Sequence, residues 1–117
     1  MPNPPTHPLS LPLLLAVLLM PAAGPAAAQD MPTYTVTFEN GRSLPETITV
    51  PAGVRFRLQA TNKGPGPAEF ESIELRKESV LAEGVTRSVV FAPLKPGSYA
   101  FFDDFHPDTA RGRIVAQ

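Results

Sequence analysis

The residues of this chain with the most chemical potential are carboxylates grouped around a single imidazole in its second half. Glu69 and Glu71 alternate with Phe70 and Ser72. If Phe70 enters a core, strand geometry sends both carboxylates to the opposite face. Further on, Asp103, Asp104, His106 and Asp108 crowd one acidic loop. Carboxylate oxygens with one imidazole suit hard or borderline ions such as Fe(II), Fe(III) and Mn(II), and they also accept Cu(II). A plainer role competes with this one: Asp and Glu also cap turns and keep loops solvated.

Other chemistries are excluded by residue types that are missing. The 117 residues include no cysteine, so there is no disulfide framework, zinc ribbon, thiolate nucleophile or acylated lipoprotein cysteine. Ten basic against eleven acidic residues leave a net charge of −1, without the basic surplus that phosphate backbones demand. His106 has no Gly-x-Ser-x-Gly partner for a hydrolase triad. Asn62–Pro67 is rich in glycine and proline but lacks the Lys-Ser/Thr ending of a phosphate-binding loop.

These side chains must be positioned by a small domain. The first 28 residues contain no Lys, Arg, Asp or Glu, so every charged side chain falls in the last 89. Leu11–Met20 is an apolar run, too short for the roughly 20 residues that span a bilayer. It leads to Ala26-Ala27-Ala28, an Ala-x-Ala pattern of the kind a signal peptidase accepts. The expectation is a secretory signal over 1–28, cleaved before Gln29, and one domain over 29–117 in a bacterial periplasm.

Within 29–117 the pattern reads as strands. Tyr34–Phe38 alternates, Thr47–Val50 is a β-branched run, and Val54, Phe56, Leu58 and Ala60 alternate with polar residues. Strand-like stretches recur at Phe70, Arg76–Leu81, Val85–Phe91, Tyr99–Phe102 and Arg113–Val115. Seven or eight short strands without an amphipathic helix predict an all-β antiparallel sandwich.

The punctuation allows a further step. The turn Pro51-Ala-Gly53, the Asn62–Pro67 loop, Pro96-Gly-Ser-Tyr99 and the closing Gly112-Arg-Ile-Val115 occur in an order that resembles the cupredoxin family. The resemblance covers roughly Thr35 to Val115. It implies a Greek-key β-sandwich with a ligand-bearing loop between the last two strands, and so brings the Glu69–Glu71 strand beside the Asp103–His106 loop. A blue-copper site takes two His, one Cys and usually an axial Met. By the same resemblance Ala68 stands where the first His belongs, and Phe102-Asp103-Asp104 where the Cys belongs. Met31 is the only methionine after the leader. A blue-copper carrier is excluded.

Phe70-Glu-Ser-Ile-Glu-Leu-Arg-Lys-Glu78 and Phe101–Gly112 resemble a cysteine-free cupredoxin subgroup, the small periplasmic partners of Ftr-type iron permeases. That resemblance implies a role in ferrous iron uptake, by Fe(II) oxidation or by hand-over, alongside a membrane iron permease and a periplasmic iron-binding protein. It implies iron or copper ions as cofactor or cargo, with Glu69, Glu71, Asp103, Asp104 and His106 as metal ligands. Whether turnover occurs is left open. The alternative is a non-catalytic docking module, with Arg76–Glu78 and the acidic loop as its surface. Tyr99 is expected to fix a corner, one or two of Phe101, Phe102 and Phe105 to fill the core, with walling a metal pocket as their alternative role, and Arg111 to neutralise the acidic loop, structurally or as a gate on metal affinity.

Overall fold

A computed structural model describes residues 1–10, 12–20 and 31–117. Leu11, the Ala26–Ala28 pattern and the 28/29 boundary lie outside the described residues. Residues 12–20 carry neither helix nor strand, and their leucines are exposed. Among the described residues no helix is long and apolar enough to cross a membrane.

Nine strands follow: β1 Thr33–Glu39, β2 Arg42–Leu44, β3 Thr47–Val50, β4 Phe56–Gly64, β5 Ala68–Ser72, β6 Lys77–Leu81, β7 Thr86–Phe91, β8 Gly97–Asp103 and β9 Arg111–Ala116. One sheet has the order β2-β1-β4-β7 and the other β3-β9-β8-β5-β6. The all-β sandwich agrees with the alternation in the sequence. The pairing is mixed rather than wholly antiparallel: β1 runs parallel to β4, and β3 parallel to β9. Each of these pairs joins strands that are not neighbours in the chain, so no hairpin turn announces it. The additional strand is β2, joined to β1 by Asn40-Gly41. Both residues have positive φ, 51° and 68°, as a two-residue type I′ hairpin requires.

The core lies between the sheets. Phe38, Phe56 and Phe91 enter it from the first sheet, Phe70 and Phe101 from the second, and all five are almost completely buried. Phe91 joins the two layers. It stacks on Phe56 with centroids 4.7 Å apart and meets Phe70 edge-on at 6.2 Å. Phe70 in turn stacks on Phe101 at 5.2 Å. Buried aromatics of this size contribute both area and pair geometry, and they dominate the stability of a small domain.

Two polar devices set the loops. Asn62, 2% exposed, donates from Nδ2 to the carbonyls of Gly66 (2.8 Å) and Leu81 (3.0 Å), and its Oδ1 accepts from the Gly64 amide at 2.8 Å. This one amide holds the whole Asn62–Pro67 loop and fixes where β5 begins. Tyr99 makes the expected corner: its hydroxyl donates to the Lys95 carbonyl at 2.7 Å.

Candidate functional site

Strand β5 lies between β6 and β8, and its alternation is strict. Ala68, Phe70 and Ser72 are buried, while Glu69 and Glu71 stand on the outer face. The register places Glu71 opposite Phe102 of β8 and opposite Glu78 of β6. Asp104, just past β8, is tied in by its amide, which donates to the Glu69 carbonyl at 3.0 Å. Each of Glu69, Glu71 and Asp104 offers a carboxylate oxygen within 4.8 Å of the others. This is the spacing of ligands that share one ion.

No basic side chain among the described residues neutralises the group. Among the described residues no Lys or Arg comes within 4 Å of these carboxylates; the two ion pairs are His106–Asp103 and Arg111–Asp108. Lys77, although adjacent to Glu78, sits 5.9 Å from the Phe91 ring centroid. Glu78 is a further carboxylate directly across from Glu71, and like charges at such a pair are destabilising. The consequence appears at Glu69. Partial burial, followed by the charges of Glu71, Asp104, Glu78 and Asp103, raises its pKa above the ordinary carboxylate value.

The five residues named from the sequence therefore divide. Glu69, Glu71 and Asp104 converge on the outer face. Asp103 and His106 do not join them. Asp103 is the β8 partner of Phe70, shares its inward direction and is 1% exposed. Its Oδ1 accepts the amides of Glu69 (2.9 Å) and Phe105 (3.0 Å), and its Oδ2 meets His106 Nδ1 at 2.9 Å. The signal for this direction is present in the sequence: a residue two places after a core Phe101 must face the core as well. The same rule applied across β5 and β6 would have identified Glu78, which was not singled out as a ligand.

The remaining residues settle as follows. Phe101 packs inside, Phe102 is half-buried on the outer face and Phe105 is 50% exposed. Arg111 reaches Asp108 at 3.8 Å through exposed side chains and donates to the Pro107 carbonyl at 2.5 Å. It braces the loop without approaching the carboxylate triad.

A soft-ligand copper centre does not fit these residues. Cysteine is absent, Ala68 presents a buried methyl, and both Asp103 oxygens are engaged. No buried side-chain polar atom among the described residues lacks a partner, so no interior group waits for a ligand. The outer triad, made of carboxylates alone, matches hard cations instead.

Comparison with known proteins agrees with the fold. An uncharacterized protein of Rickettsia prowazekii (strain Madrid E) is 33% identical over 104 residues, 88% of this chain and 83% of that one. Among solved structures, reduced auracyanin from Roseiflexus castenholzii superposes with a TM-score of 0.64 at 14% identity, over 73% of this chain and 96% of its own. The metal-binding domain of the Cu(I)-exporting P-type ATPase CopA of Streptococcus pneumoniae D39, solved with Cu(I), gives 0.65 at 14% identity, over 73% and 84%. Amicyanin from Paracoccus versutus gives 0.56 at 20% identity, over 82% and 87%. The family model described as Cupredoxin-like domain matches residues 11–116. With its sandwich, its loop order and this match, the chain belongs to the cupredoxin-like domain family.

Proposed function

We propose that this protein is an exported cupredoxin-like cation-binding protein that assists ferrous iron uptake, taking Fe(II) on the outer face of its five-stranded sheet. The observation that carries this reading is the uncompensated triad of Glu69, Glu71 and Asp104. Three carboxylates that repel one another in the free protein gain most from a divalent cation, which removes the repulsion and replaces lost water with oxygen ligands. Fe(II) is the cargo of this site rather than a resident cofactor. A membrane iron permease and a periplasmic iron-binding protein are the partners implied by the resemblance of Phe70–Glu78 and Phe101–Gly112 to the permease-associated subgroup. Export rests on the apolar run before Met20 and the Ala-x-Ala pattern that ends at Ala28.

Titration of the protein with Fe(II) under anaerobic conditions, and with Mn(II) and Cu(II), tests the reading. Saturable binding at micromolar or lower concentration that Glu71→Gln weakens at least tenfold supports it. Absence of saturable binding to all three ions refutes it. A docking module is the second reading, favoured by the distribution of charge on the same sheet face. Arg111 and Arg113 of β9 line a groove of about 370 Å³ with Glu46 and Glu74, whereas the carboxylates of β5 and β6 lie beyond β8. A partner captured equally well by wild type and by Glu71→Gln, but lost on Arg111→Glu with Arg113→Glu, would favour that reading.

A further inference from the structure

The inner end of β5 and β8 is closed by chemistry of its own. Asp103, buried and pointing inward, receives three donors: two backbone amides on Oδ1 and the His106 ring on Oδ2. Because a carboxylate only accepts, the short contact at Oδ2 places the ring hydrogen on Nδ1. The chain between them is wound tightly. The Asp103 amide donates to the Ala110 carbonyl, the His106 amide to the Asp103 carbonyl, and the Ala110 amide to the His106 carbonyl, each at 2.9 Å.

This loop is also fastened to the β1–β2 hairpin. Thr109 Oγ1 donates to the Gly41 carbonyl at 2.5 Å, and the His106 ring lies close to Gly41. A Cβ on Gly41 would stand 3.1 Å from His106 Cδ2, so glycine is needed there for the close approach as well as for its positive φ. What space remains between Ala68, Asn62, Pro67, Asp103 and His106 is a cavity of about 10 Å³. That is about the threshold for one water molecule.

We infer that Asp103 and His106 form a metal-free clasp at the end of the sandwich where the family resemblance places soft ligands, and that neither residue holds a cation. The clasp joins the β8–β9 loop, β5 and the β1–β2 hairpin, which a bridging ion would otherwise have to join. It also positions two members of the outer triad. The Glu69 amide is held by Asp103 and the Glu69 carbonyl by the Asp104 amide, while both carboxylates point away from the clasp. This inference rests on the proposed function for the location of the cation, and on the interior hydrogen bonds alone for the clasp.

Three measurements on the protein test it. In ¹⁵N NMR, His106 is expected to show the Nδ1–H tautomer, with ring nitrogen shifts unchanged through saturation with Zn(II). Pulsed EPR of the Cu(II)-loaded protein should show no imidazole coupling that His106→Gln removes. His106→Gln and Asp103→Asn should each lower Tm of the metal-free protein by about 5–10 °C, while His106→Gln changes Mn(II) affinity less than twofold. An imidazole coupling lost in His106→Gln, or ring shifts that follow Zn(II), overturns the clasp. If no ion binds saturably, the cation reading fails by itself. The clasp then stands on the tautomer and the loss of Tm, and it falls if either substitution leaves Tm unchanged. Should His106→Gln fail to fold, the Zn(II) titration of wild type still decides.

Discussion

The two faces of strand β5 differ in almost every respect, although their residues are separated by a single step along the chain. The inner face carries Ala68, Phe70 and Ser72, packed or hydrogen-bonded; Ser72 Oγ donates to the Ala100 carbonyl at 2.8 Å. The outer face carries Glu69 and Glu71, which have Glu78 and Asp104 as neighbours and, among the described residues, no Lys or Arg within 4 Å. The closed face is where stability resides, because apolar burial and satisfied polar groups stabilise the domain. The open face detracts slightly from stability, because like charges are held together there. A feature that costs stability and is nevertheless built into a rigid sheet is the usual mark of a binding surface.

The contrast predicts that damage to the inner face unfolds the protein whereas damage to the outer face leaves it folded. The largest effect is expected for Phe70→Ala. Phe70 is fully buried and touches both Phe91 and Phe101, so its truncation should lower unfolding free energy by about 3–5 kcal/mol in a denaturant titration. A loss below about 1 kcal/mol would show that the two sheets do not depend on this contact.

Next comes Gly112→Ala on β9. An added methyl would stand 2.6 Å from the Glu46 carbonyl oxygen and would also collide with the Phe101 ring. Forced overpacking of this kind is expected to cost about 1–3 kcal/mol, read as a lower midpoint, with cation affinity preserved because the triad is untouched.

Glu71→Gln should have the opposite profile. The metal-free domain is expected to be as stable as wild type or slightly more so, since the repulsion across to Glu78 is relieved. Cation affinity should fall at least tenfold, about 1.4 kcal/mol, by calorimetric titration. A destabilised apo domain with unchanged affinity would make Glu71 a structural residue and remove the distinction between the faces.

The smallest effect is the pH dependence of the metal-free protein. The Glu69 carboxyl binds its proton more tightly in the folded than in the unfolded state. Between the unfolded and the folded pKa the native state therefore holds more protons, so this residue makes stability fall as pH rises through that window. Above the folded pKa its penalty is constant, and below the unfolded pKa it is absent. Thermal melts of wild type and Glu69→Gln across the carboxylate range should diverge with rising pH, the variant becoming relatively more stable. Parallel curves would mean that Glu69 is not crowded. Bound cation should reverse the divergence, since it favours the ionised Glu69 carboxylate and stabilises wild type more than the variant.

Much of this arrangement was legible in the chain. Period-two alternation is a local property, so β1, β4 and the outward direction of Glu69 and Glu71 follow once Phe70 is assigned to the core. The Asn40-Gly41 turn carries a hairpin signal as well, although β2 is too short, at three residues, to show alternation. Parallel pairing of β1 with β4 and of β3 with β9 was not legible, because it depends on crossings between sheets that leave no turn chemistry behind. Asp103 shows the other limit. Its neighbours Asp104 and Asp108 make it resemble one more loop carboxylate, and composition alone groups all three. Its place two residues after Phe101 carries the inward signal, but that its charge is answered from within follows from its register opposite Phe70 and its three donors.

Strand β3 has one neighbour in its sheet, and that neighbour is β9, six strands further along. Residues 47–50 therefore find their hydrogen-bonding partner only when residues 113–116 have arrived. A chain emerging amino end first cannot complete this sheet until residues 111–116 are free. Strand β3 therefore waits for contacts far along the chain, whereas β1, β2, β4 and β7 of the other sheet pair among themselves by Phe91. The pairing of β3 with β9 thus acts as a timer for the second sheet alone.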